Sequence, residues 1–81
     1  MSSASFLIFV KSLDGRTLAL DVTPHETVSD LKHKIYENNG VHPNQQRLVF
    51  SGKNLNDTLT LESYGIQTLS SVWMMMHKVV G

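Results

Sequence analysis

The chain has no cysteine among its 81 residues. Neither a disulfide framework nor a thiolate metal site can therefore hold it together. It also lacks a charge excess of either sign, since seven Lys and Arg face seven Asp and Glu. A nucleic-acid binder of this size draws much of its affinity from neutralising phosphates and carries a basic surplus, so nucleic acid is not an expected partner. No apolar run approaches the ~20 residues that span a bilayer. The opening Met1-Ser2-Ser3-Ala4-Ser5 has no basic segment leading into an apolar one, as a secretory signal would, and Ser2 stands where N-myristoylation requires glycine. No membrane association is expected, and the cytoplasm or nucleus is the expected setting. His25, His33, His42 and His77 have neither zinc-finger spacing nor cysteine partners. Gly15, Gly40, Gly52 and Gly65 are isolated and build no phosphate-binding loop. No serine sits in a nucleophile elbow. The expectation is a protein without metal, cofactor or catalytic residues.

What remains is the composition of an ordinary globular domain, 41% hydrophobic and 17% charged, at a length that fits one domain with one thin core. Residues 1–5 are small and polar and read as a flexible N-terminal tail. Residues 6–78 form the domain, residues 79–81 a C-terminal tail, and the whole is expected as a monomer. Phe6 to Val10 is apolar and strand-favouring. Asp14-Gly15 supplies turn chemistry. Thr17 to Val22 alternates, with Leu18, Leu20 and Val22 on one face. Thr27 and Asp30 mark a helix start. Val28, Leu31 and Ile35 then form one helical stripe, with Lys32, Lys34 and Glu37 on other faces. Asn39-Gly40 stops the helix, which is predicted over residues 28–38. Val41 to Asn44 reads as a turn, Arg47 to Ser51 as a third strand, Leu55 as a very short strand, Thr60 to Tyr64 as a helical turn, and Ser71 to His77 as the last strand. A hairpin, a crossing helix and further strands predict an α+β domain whose mixed sheet is covered on one face by the helix.

The last strand is apolar at every position from Val72 to Met76, where a half-buried strand should alternate. With Val72 and Met74 inward, Trp73 and Met75 point outward. In the third strand Leu48 and Phe50 share one face, so Val49 emerges on the other beside Arg47. Leu13 sits in the first turn with no evident core role. Leu13, Val49, Trp73 and Met75 would form one surface cluster if these two strands are neighbours, and exposed apolar patches of that kind mark binding sites. Tryptophan is a favoured anchor, and methionine adapts to varied partners. Lys11, Arg47, Lys53, His77 and Lys78 would supply a basic rim suited to acidic partners. A run of apolar residues also fits a central strand covered on both sides; with one convincing helix, nothing is left to cover the second face, which favours the patch.

Several blocks resemble ubiquitin and its relatives: Ile8-Phe9-Val10-Lys11-x-Leu13-x-Gly15, Pro24-x-x-Thr27, Lys32-x-Lys34-Ile35, Gly40-Val41-x-Pro43, Gln45-Gln46-Arg47-Leu48-Val49-Phe50-x-Gly52-Lys53-x-Leu55-x-Asp57, Thr60-Leu61-x-x-Tyr64-x-Ile66-Gln67 and Ser70. The likeness runs from Phe6 to Gly81 without an internal gap, and the stretch from Gln45 to Lys53 is its most specific part. The resemblance implies the ubiquitin-like β-grasp fold, a mixed five-stranded sheet with one main helix on one face and a short second helical turn. It implies a recognition surface on Leu13, Val49, Trp73 and Met75, with Trp73 at the family's histidine position and Val49 at its central isoleucine. It implies a second patch at Leu13, Val41 and Met76, a structural hydroxyl at Tyr64, and chain-linkage lysines at Lys11, Lys32, Lys34 and Lys53. Arg16, Asn38 and Thr68 replace other such lysines. The implied partners are proteins with ubiquitin-binding domains, proteasome subunits and ubiquitin-pathway enzymes.

The departure is at the end. Val80 stands where conjugated relatives carry the first of two glycines, leaving Gly81 alone. Docking as the N-terminal domain of a larger protein is therefore the expected role, with conjugation through Gly81, alone or as one unit of a tandem protein, as the alternative.

Overall fold

In a computed structural model of the chain, the residues described are 5–76. Most of the expected N-terminal tail, the end of the last strand at His77, Lys78 of the basic rim, and residues 79–81 with Gly81 lie outside them. Alternating side chains build the first hairpin. β1 (Phe6–Ser12) pairs antiparallel with β2 (Thr17–Val22), from Phe6 opposite Val22 to Lys11 opposite Thr17. Gly15 supplies the positive φ of the turn, at 92°, and the Ser12 N–H donates to the Arg16 carbonyl at 2.9 Å.

The helix α1 (Val28–Asn39) runs one residue past its predicted end. Its start is a reciprocal cap: the Thr27 hydroxyl accepts from the Asp30 N–H at 3.2 Å, and the Asp30 carboxylate accepts from the Thr27 N–H at 3.0 Å. Gly40 closes it at φ 77°, its N–H donating to the Tyr36 carbonyl at 2.8 Å. The Thr27 N–H, and after it the neighbouring Thr27 hydroxyl, stabilise the charged Asp30 carboxylate and hold it below the ordinary aspartate value of 3.8. A carboxyl depressed by folding contributes stability above its unfolded pKa and loses it as pH falls through the folded value. Thr27→Ala is expected to lower stability by about 1 kcal/mol. In urea melts taken across pH, the difference between the native chain and Asp30→Asn is expected to be flat near neutrality and to shrink from pH 3.8 downward. A difference that grows with acid would contradict this account of the cap.

After a 3-10 turn at Pro43–Gln45 come β3 (Gln46–Phe50), β4 (Lys53–Asn54), a second 3-10 turn at Glu62–Tyr64, and β5 (Ser71–Met76). The sheet has five strands in the order β2-β1-β5-β3-β4. β1 and β5 run parallel and the remaining pairs antiparallel, so the sheet is mixed, as the β-grasp expectation required. Val28, Leu31 and Ile35 pack against Ile8, Val10, Val22, Leu48 and Val72 in one core. Other boundaries also differ from expectation: β1 runs on past Val10 to Ser12, and β3 begins at Gln46. β3 ends at Phe50 because Ser51 and Gly52 take positive φ, 54° and 78°, to turn the chain. The short strand is Lys53–Asn54 and not Leu55, which instead folds into the core with its N–H on the Leu48 carbonyl at 2.9 Å. The Tyr64 hydroxyl accepts from the Asn56 N–H at 2.8 Å and ties down the intervening loop.

Candidate protein-interaction surface

The central strands decide which side chains leave the core. In β5, Val72 and Met74 are buried, Trp73 is 42% exposed and Met75 is half-buried. The register carries the alternation across the sheet: Trp73 lies opposite Lys11 of β1 on one side and opposite Val49 of β3 on the other. Met75 lies opposite Arg47. Lys11, Trp73 and Val49 thus form one row on the face away from α1, with Met75 and Arg47 in the next row. The indole stands on the sheet's uncovered side and does not enter the core.

Leu13 is 73% exposed in the hairpin turn, beyond the pairing of Ser12 with Met74, so it flanks Met75 and does not adjoin Val49. A groove of about 600 Å³ opens there, lined by Leu13, Leu18, Val41, Met75 and Met76 among others. Leu13, Val41 and Met76 therefore meet at one end of the sheet. Gln46 fixes that end: its buried side-chain amide donates to the Lys32 carbonyl and to the Val41 carbonyl, both at 2.9 Å.

The cations differ in availability. Arg47 and Lys53 are exposed and Lys11 is half-buried; none of the three is in a salt bridge among the described residues. Lys32, expected on an outer helix face, is only 9% exposed. The Asp57 carbonyl accepts from the Ser29 N–H, and this draws the loop over the helix start. The Asp57 carboxylate then pairs with the Lys32 Nζ at 2.7 Å. Lys34 holds its Nζ 2.7 Å from a Glu26 carboxylate oxygen and donates to the Asp21 carbonyl at 2.7 Å. Of the lysines named from the resemblance, Lys53 is the most open to solvent and Lys32 the least. Sequence reasoning passed over Leu7, Phe9 and Leu69. Leu7 and Phe9 are half-buried on the open face, and Leu69 is exposed. The continuous apolar run at the start of β1 was the available signal for the first two.

The model of the ubiquitin family matches residues 8–79. Ubiquitin-like protein 1 of Schizosaccharomyces pombe is 41% identical over 61 residues, which cover 75% of this chain and 78% of that protein. Ubiquitin-like protein NEDD8 of Dictyostelium discoideum is 36% identical over 61 residues, covering 75% of this chain and 79% of that protein. The 2'-5'-oligoadenylate synthase-like protein 1 of Mus musculus is 38% identical over 76 residues, 94% of this chain but 14% of that protein.

Proposed function

The chain belongs to the ubiquitin family, and from that premise we propose that it is a non-catalytic interaction domain that docks on other proteins of the ubiquitin system through the open face of its sheet. Ubiquitin-binding modules, proteasome subunits and ubiquitin-pathway enzymes are its partner classes. The observation that carries the reading is the half-exposed indole of Trp73, set between Lys11 and Val49 while its neighbours Val72 and Met74 are buried. An exposed tryptophan with an adaptable methionine beside it is the composition of a binding anchor. Lys11 and Arg47 favour acidic partners and speed encounter with them. Val49→Ala is expected to weaken calorimetric affinity for a ubiquitin-binding helix about tenfold, with a melting temperature close to that of the native chain. Unchanged affinity would count against the face.

A second reading has its own support. The S. pombe and D. discoideum relatives match over 78% and 79% of their own lengths, so the chain is also similar to proteins of its own size. On that reading it is a modifier joined through Gly81. Intact-mass measurement after incubation with ATP and activating enzymes separates the two: a thioester adduct at Gly81 supports the modifier, and an unaltered mass supports docking alone.

A further inference from the structure

Position 69 holds a leucine that the fold does not call for. Its φ is +65°, a left-handed conformation that glycine and asparagine enter readily and a bulky side chain does not. The residue is 61% exposed, so core packing does not offset the strain. Its N–H donates to the Leu7 carbonyl at 2.6 Å, which places it beside the start of β1. Leu7 and Phe9 are half-buried on the open face there, while Ile8 and Val10 point into the core. Phe9 lies opposite Ser71, one diagonal step from Trp73, and aromatic side chains reach across that spacing. The apolar surface around Trp73 therefore continues along β1 to Leu7 and Leu69.

The strip is polarised. Lys11 lies opposite Trp73 and Arg47 opposite Met75. Asp21 lies opposite Leu7 at the far end. None of these three side chains is in a salt bridge among the described residues. A sheet face presents side chains and no free backbone groups, so whatever lies on it must satisfy its own amides, which an α-helix does. From Leu7 to Leu13 the face is roughly 20 Å long at ~3.3 Å per residue, the length of about 13 helical residues.

Resting on the docking reading above, we propose that the partner element is an amphipathic helix of about four turns. It lies along the strip from Leu13 past Trp73 to Leu69, acidic where it passes Lys11 and Arg47 and basic where it reaches Asp21. Leu69 sets the length of helix that is recognised.

The test uses two lactam-bridged, leucine-anchored helical peptides followed by NMR titration: a two-turn acidic helix, and a four-turn helix that extends it with a basic end. The longer helix is expected to bind about tenfold more tightly, or 1.4 kcal/mol. Leu69→Asn is expected to remove most of that gain, leave the short helix's affinity unchanged, and hold or raise the melting temperature. Trp73→Ala is expected to weaken both helices. Equal affinity of the two helices, binding by neither, or undiminished long-helix binding in Leu69→Asn overturns the strip. A melting temperature that falls in Leu69→Asn also overturns it, since the leucine would then be structural. If both helices bind and neither is sensitive to Trp73→Ala, the docking reading fails instead.

Discussion

Leu48→Ala is expected to cost about 2–5 kcal/mol of folding stability, the range for truncating a buried leucine. Leu48 is 1% exposed. It lies opposite Met74 across β3 and β5, and its backbone carbonyl also receives the Leu55 N–H at 2.9 Å. The side chain belongs to the one core the domain has, so the cavity has no second core to draw atoms from. Native stabilities are only about 5–15 kcal/mol, so the loss is a large fraction of the total. Urea unfolding reads it directly. A loss below about 1 kcal/mol would mean that the core collapses around the gap far more readily than interior packing allows. Affinity per folded molecule should stay close to that of the native chain, because Leu48 faces away from the open surface.

Trp73→Ala is expected to do the reverse. Affinity for a ubiquitin-binding helix should fall by ~2 kcal/mol or more, about 30-fold, as for an anchor at the centre of an interface. The melting temperature should move little beside that of Leu48→Ala. The indole is half-exposed, and the buried side chains on either side of it in β5, Val72 and Met74, remain in place. Calorimetry on the variant, paired with its thermal melt, separates the two effects. Undiminished affinity removes Trp73 from the binding surface. A collapse in stability would show that the indole supports the fold and that its exposure misleads.

The contrast between Leu48 and Trp73 was legible before any coordinates, because strand periodicity says which side chains share a face and a lone helix can cover only one. The stripe of Val28, Leu31 and Ile35, the Thr27 cap and the Gly40 stop are all local signals, and each appears in the structure. What escaped depended on partners distant in sequence. Lys32 lies on the helix where a solvated lysine is unremarkable; only the loop carrying Asp57, folded back over the helix, makes it a buried ion pair. Gln46 falls just ahead of the expected third strand, a polar residue with no assigned role until its amide is seen spanning the carbonyls of Lys32 and Val41. Leu55, a single apolar residue among polar ones, carries no periodicity at all, and strand or core cannot be told apart from it.

The open face was only partly legible for a similar reason. In β5 the apolar run forced the question of what lies on the second side. In β1 the same run, Phe6 to Val10, raised no such question, because the cleanly alternating β2 beside it makes an ordinary hairpin. Sheet order supplies the missing step. β1 sits between β2 and β5, so Leu7 and Phe9 lie on the same uncovered face as Trp73. The left-handed backbone at Leu69 has no sequence signature, since leucine is among the residues least expected there.

The most direct measurement is NMR chemical-shift mapping of the ¹⁵N-labelled chain titrated with a ubiquitin-binding helix. The account predicts that the largest changes fall on Lys11, Val49, the Trp73 indole and Met75, while the outward side of α1 around His33 and Glu37 stays still. Changes centred on α1, with the indole resonance unmoved at saturation, would contradict it.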